Sequence, residues 1–393
     1  MNPIAARLRS RYATVALMAI GLTMLLISFI RLQPHASNYR VDLTNRLVGA
    51  CLQQDGVSPY FYHWKEGDPV QHYDFLQVDT VVSNMTASPF FHRLLQPVCR
   101  LPFNEVAAGW FYLQYLLVLA MLALFFYQTR DWLLLSLACF IVGVFTWSHW
   151  WNMNTMLGQY YLLFPFLGLM ATVGLMSNDR WWQWVGLMGC AVFILMRPTA
   201  VIWVVFLLLA QPHFWKRFTA VTLLLILGMA VSASFEQVVP LWADYFHSLS
   251  LHADLILRYG GRQIVHAAGP EPAWLSVISD ALSVEIERNE SSNLVRLLFA
   301  VAPAFANKIF PFSLFVILTA AVLWRLFRYR HAMMPMQIIL CGAVLYLLSD
   351  FFSTVFRNGY FGIQWLGPLF IGLWVAQSQQ RKWFWYCLAP ALL

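Results

Sequence analysis

The chain has 393 residues, of which 60% are hydrophobic and only 11% charged, with 18 tryptophans and 31 phenylalanines. That much apolar residue excludes a soluble fold and reads as an all-α, polytopic membrane protein. A net charge of +7 would point to nucleic acid in a soluble protein. Here the positive-inside bias of cytoplasmic loops accounts for it, and no nucleic-acid partner is expected.

Arg7, Arg9 and Arg11 precede an apolar run over residues 13–30. The run is long for a signal peptide and no small-residue cleavage site follows, so it reads as a retained first span. Residues 31–105 form a first large loop. Further spans are expected over 106–127, 132–147, 160–176, 182–196, 199–210 and 218–235, those over 182–196 and 199–210 forming a pair broken at Arg197-Pro198. A second large loop covers 236–293. Residues 294–324 exceed the roughly 20 needed for one span, so their first half is expected to be interfacial or re-entrant. Spans over 337–348 and 360–376 follow, and 383–393 is too short to cross comfortably.

Placing the N-terminus inside puts Arg7, Arg9, Arg11, Arg130, Arg180, Lys216, Arg217, Arg325, Arg328, Arg330, Arg381 and Lys382 on short cytoplasmic segments. The remaining basic residues are spread thinly over the longer outside segments. This asymmetry predicts about ten spans in one integral membrane domain, 1–393, with both large loops extracytoplasmic. In the first loop, Leu43, Leu47, Val48 and Cys51 recur at helical spacing, as do Phe90, Phe91, Leu94 and Leu95. Both runs predict amphipathic helices lying on the membrane.

Six cysteines occur without CxxC spacing, so neither a zinc nor a redox site is expected. Cys139, Cys190 and Cys341 lie in apolar spans and read as packing residues. Cys51 and Cys99 share the first loop and are candidates for a disulfide if that loop lies in an oxidising compartment. No phosphate-binding GxxxxGK[ST], GxSxG or HExxH motif is present, which leaves nucleotide hydrolysis, serine hydrolysis and zincin chemistry unsupported.

Carboxylates at a membrane edge are expensive to keep. Asp42, about a dozen residues past the first span, admits two roles: a helix cap or first-turn acid, or a general base. Asp55, Asp68, Asp74, Asp79, Asp244 and Asp254 sit in more polar stretches and read as solvated loop acids. Arg197 interrupts an apolar hairpin and is either a turn residue snorkelling to the interface or a phosphate ligand. Arg357 is either paired internally with Asp350 or a second phosphate ligand. His149 belongs either to an aromatic interface belt or to a phosphate site. Gln159 follows Gly158 at the start of a span, which puts its amide near the outer surface.

These motifs resemble the GT-C superfamily of membrane glycosyltransferases, and within it glycosyltransferase family 87, the polyprenyl-phosphate-mannose-dependent mannosyltransferases. Asp42 matches the acid after the first span, and Gly56-Val57-Ser58-Pro59-Tyr60 matches G-x-x-P-Y. Ser88-Pro89-Phe90 and Leu95-Gln96-Pro97 match a proline-containing segment. Leu157-Gly158-Gln159 matches L-G-Q, Arg197-Pro198 the Lys-Pro hairpin, and residues 360–368 the final aromatic-then-proline span. The hairpin cation is Arg rather than Lys, and the loop around Arg258, Gly260, Gly261 and Arg262 lacks an Asn- and Ser-rich pattern. The resemblance implies an inverting hexosyltransferase of the bacterial inner membrane, mannose being the expected sugar. It would take a polyprenyl-phosphate-linked donor to a lipid or glycan acceptor on the extracytoplasmic face. It implies Asp42 as general base, with Arg197, Gln159, His149, Arg357 and Tyr60 at the donor and neither metal nor cofactor. Arg258 and Arg262 are acceptor candidates.

Two other functions compete. An O-antigen polymerase or ligase would lean on loop cations such as Arg258 and Arg262 rather than on Asp42. A lipid-linked sugar flippase or transporter would show repeated halves and mid-span polar residues, whereas here the polar residues gather at span ends and in two unequal loops.

Overall fold

The computed structural model describes residues 3–38, 40–73, 85–258, 294–307, 309–329, 333–353 and 359–378. Every regular element among them is helical. In chain order these are α1 (Pro3–Leu32), α2 (Val41–Gln54), α3 (Pro89–Leu95), α4 (Phe103–Thr129), α5 (Trp132–Phe145), α6 (His149–Met156), α7 (Leu163–Met176) and α8 (Arg180–Met196). Then come α9 (Val201–Leu209), α10 (Phe214–Val231), α11 (Phe235–Arg258), α12 (Leu294–Val301), α13 (Ile309–Tyr329), α14 (Pro335–Phe351) and α15 (Leu366–Ser378).

Local chemistry sets several helix starts. Ser88, Asp131, Ser148 and Asp179 each accept a hydrogen bond from the first turn of α3, α5, α6 and α8, satisfying backbone donors that have no partner in the helix. Pro89 at the first turn of α3 lacks the N–H that would otherwise be left over.

The expected count of about ten spans is not what the helix lengths give. Among the described residues, four helices are long and apolar enough to cross a membrane, within 11–35, α4, α10 and α13, and the pair α5 and α6, bent by 69°, makes at most a fifth. The other apolar segments, including α7 and α14, are helices of 10–17 residues. At 1.5 Å per residue the 14-residue α7 is about 21 Å long, short of a hydrocarbon core of about 30 Å. These helices are packed into the protein. Ten of the 14 residues of α7 are buried, and α7 meets α8 so closely that a Cβ on Gly186 would lie 2.7 Å from the Leu175 nitrogen. The long run 294–324 breaks into the short α12, a 3-10 turn at Pro303–Phe305 and the full-length α13.

The expectation for α2 also changes. Rather than lying on a membrane surface, α2 is buried around most of its circumference, at Leu43 and at every residue from Asn45 to Gln53. Its apolar face enters a core shared with α3, α7, α8, α9 and α14, while a second core joins α1, α4, α5 and α15. A polar face inside a protein needs internal partners. Gln53 accordingly donates to the carbonyls of Pro89 and Ser232, at 3.1 and 2.6 Å.

The second loop begins as helix, since α11 occupies 235–258. Tyr245 packs 5.5 Å from Tyr60, Trp242 donates to Ser232 at 3.0 Å, and Ser58 donates to Asp244 at 2.6 Å. The two loops are thus joined to each other at one end of the bundle. Asp55 is no freely solvated loop acid either. It accepts from Arg100 and meets His72 at 2.8 Å, and both contacts hold its carboxyl below the ordinary value.

Cys51 and Cys99 are joined as a disulfide, with Cα atoms 5.6 Å apart and a sequence separation of 48. Closing a loop of that length removes chain entropy worth about 4 kcal/mol. A Cys51→Ala/Cys99→Ala protein in detergent is therefore expected to unfold at lower temperature than the parent, and reductant should depress the parent's transition but not the variant's. A parent transition indifferent to reductant would show that the bond contributes nothing.

Candidate active site

The alternation of helix direction brings one set of ends together: the end of α1, both ends of the α6 segment, the starts of α2, α4 and α7, and the ends of α8 and α14. At this end α2 starts. Arg40 is its N-cap, with extended backbone and no side-chain cap. Asp42 lies in the first turn, where the unpaired N–H groups favour an anion. It is not a cap. Its backbone nitrogen donates to the carbonyl of Leu157 at 3.0 Å, and its carboxylate Oδ2 accepts from Gln159 Nε2.

Gly158 makes that docking possible. It has φ +72°, and a Cβ there would lie 2.7 Å from the Leu43 Cβ and 3.0 Å from the Arg40 Cβ. Only glycine combines the left-handed backbone with so close an approach to α2. Gly158→Ala is expected to cost about 1–2 kcal/mol from the backbone alone, with a further loss as α2 is pushed off Gln159. Equilibrium unfolding in mixed micelles measures the first, and an unchanged midpoint would contradict it.

Gln159 is held from every side. Its backbone nitrogen donates to Asn154 O at 2.8 Å. Its own carbonyl accepts from Trp110 Nε1 at 3.2 Å and Gln114 Nε2 at 2.8 Å. Asn154 in turn donates to Gln114 at 3.1 Å. The Gln159 side-chain oxygen accepts from Arg46 Nη2 at 2.7 Å. Arg46, one turn beyond Asp42, also donates through Nη1 to the Asp42 backbone carbonyl. That nitrogen stands 3.9 Å from Asp42 Oδ1, and the guanidinium lies over the Tyr160 ring at 4.5 Å. The Arg46 side chain is 5% exposed and that of Asp42 is 26% exposed. Burial pushes the Asp42 carboxyl above the ordinary value, against the opposing pull of the Arg46 charge and the Gln159 hydrogen bond.

Two further buried groups border this cluster. Arg40 donates to the carbonyls of Thr155, His35 and Ala36, tying the approach to α2 onto α1 and α6. Burial away from any paired carboxylate lowers it to about 10. His92, on α3, is fully buried and has no hydrogen-bond partner at either ring nitrogen among the described residues. Burial pushes it down to about 3, so it is neutral.

The other sequence candidates separate. Arg197 neither snorkels to an interface nor stands open to an anion. It is 8% exposed and ion-paired with Asp350. It also donates to Gln364 at 3.1 Å and Thr199 at 3.2 Å. The rings of Tyr161, Phe164, Tyr346 and Phe361 surround it at 5.0–5.7 Å. Arg197 and Asp42 are linked through adjacent tyrosines, since Arg46 covers Tyr160, Arg197 faces Tyr161, and the two rings are 5.3 Å apart. Tyr60 is fully buried and donates to Ala87 O at 2.9 Å, a packing role beside Tyr245. His149 is exposed at the start of α6, about 12 Å along that helix from the Gln159 turn. Arg357 and Arg262 lie outside the described residues. Arg258 is the last residue of α11, and its side chain also lies outside them.

Sequence reasoning passed over Arg40, Arg46, His92 and Gln364. A signal existed for Arg46, four residues after Asp42 on one helix face. None existed for the others. Among the described residues no three His, Cys, Asp or Glu side chains are grouped as metal ligands would be. Comparisons of the chain with protein-family profiles, curated proteins and solved structures find no match in any of the three.

Proposed function

We propose that this protein is a membrane-embedded glycosyltransferase that moves a hexose, mannose in the first instance, from a polyprenyl-phosphate carrier to a hydroxyl of a lipid or glycan acceptor. The observation that carries this reading is the Asp42 carboxylate. It sits at the positive end of a buried helix, held through one oxygen by Gln159 and still a quarter exposed. A solvated loop acid has no need of such a mount, and Arg46, 3.9 Å from the second oxygen, neutralises that oxygen's surroundings without hydrogen-bonding to it.

In the proposed reaction the acceptor oxygen attacks the anomeric carbon while its proton passes to Asp42. The bond from that carbon to the phosphate oxygen breaks, the configuration inverts, and polyprenyl phosphate leaves with one more negative charge than it brought. Fixed positive potential stabilises such a developing charge. The first turn of α2 and Arg46 supply it here, with His149 and Arg357 as further candidates. Arg197, already paired, is reassigned to holding the end of α8 against α14. The Cys51–Cys99 bond suits an oxidising compartment, which supports the extracytoplasmic placement of this end.

The test is incubation of membranes carrying the protein with labelled polyprenyl-phosphate-mannose and related carriers, with Asp42→Ala as control. Asp42-dependent appearance of label in an acceptor is expected. Transfer that survives in the control would favour a polymerase or ligase built on loop cations, and carrier movement without transfer would favour a flippase.

A further inference from the structure

We propose that Gln159 and Arg46 are positioning residues for Asp42: Gln159 fixes the plane of the carboxylate by occupying Oδ2, Arg46 fixes the amide orientation of Gln159, and Oδ1 is the oxygen that takes the proton. This rests on the reading of Asp42 as general base and deepens it.

Donor and acceptor chemistry fixes this arrangement. A glutamine amide can be turned so that either its oxygen or its nitrogen faces a neighbour, and facing an ionised carboxylate only the nitrogen is favourable. Arg46 has donors alone, so its Nη2, 2.7 Å from Oε1, holds the oxygen on its own side. Nε2 is thereby turned to Asp42 Oδ2. The backbone of Gln159 has no freedom to follow another arrangement, because Asn154, Trp110 and Gln114 hold both its polar groups. Oδ1 takes no hydrogen bond among the described residues and lies 3.9 Å from Arg46 Nη1, near enough to feel the charge without being closed by it. Other ionisable groups face elsewhere: Arg40 points to three backbone carbonyls, His92 lies over Gly49, and Tyr160 lies beneath Arg46.

Two measurements on the full chain in membranes or micelles test this. One is the pH profile of kcat/KM for sugar transfer. The other is the carboxyl infrared titration of Asp42, isolated by subtracting the Asp42→Asn spectrum. An opposite charge at this range lowers a carboxyl by about 1–3 pH units. Arg46→Gln is therefore expected to move the acid limb and the infrared titration upward together by about 1 pH unit. Arg46→Lys should restore the titration through its charge yet leave kcat reduced about tenfold or more, because an ammonium lacks the fork that holds Gln159. Gln159→Leu should lower kcat with little change in KM and raise the titration. Gln159→Asn, which keeps the amide, serves if the leucine variant fails to fold. If Arg46→Gln and both Gln159 variants leave the Asp42 titration in place, the positioning proposal is overturned. If the titrations move as stated while Asp42→Asn retains full transfer, the positioning stands and the base assignment falls.

Discussion

Asp42→Asn is expected to lower sugar transfer by about 10²–10⁴-fold, the range contributed by a positioned general base, without destabilising the protein. The side chains are nearly isosteric, and the asparagine oxygen still accepts from Gln159 Nε2. Because burial raises the Asp42 carboxyl, the ionised form carries a cost in the folded state. That cost is complete above the folded value and vanishes as the pH falls below the ordinary carboxylate value. Removing the charge is therefore neutral or slightly stabilising at neutral pH, and acidification relieves the same cost in the parent. Activity runs the other way, since it requires the ionised base and declines as the pH falls through the raised value. A variant with full activity, or one that is inactive only because it unfolds, would remove the basis for assigning the base.

The second large effect is on stability. Arg197 and Asp350 form an ion pair with both side chains about nine-tenths buried. Removing one partner leaves the other charged and desolvated, which costs about 3–5 kcal/mol. Arg197→Met and Asp350→Leu should each shift equilibrium unfolding in detergent by that amount. The double variant should recover most of it, since well-packed apolar residues replace buried pairs at little or no cost. The same variants decide what Arg197 is for. If it only holds α8 to α14, the double variant folds and transfers sugar. If it binds the leaving phosphate, the double variant folds and is inactive, and the reassignment of Arg197 fails.

These two sites differ in how visible they are in the sequence. Asp42 stands out because an acid just beyond an apolar span is unusual, and Gln159 because it follows a glycine at a span start. Each can be noticed within a short window. Their meeting cannot, since 117 residues separate them. Arg197 is equally conspicuous in its window, but its partner lies 153 residues away, so the local reading offered an interface or an anion. Asp350 likewise has Arg357 as a sequence neighbour and Arg197 as its partner in space.

Taken alone, the amino-acid order determines the apolar mass, the helical class, the periodicity of α2 and the starts of α3, α5, α6 and α8. Capping bonds and amphipathic spacing act over two to four residues, so any short window contains both partners. Only the tertiary structure decides that α2 is buried rather than laid on a surface, and that Arg197 is already satisfied. The reason is physical: the free energy of a buried polar group depends on whether a partner reaches it, and for Asp42, Gln53 and Arg197 the partners come from elements far away in the chain.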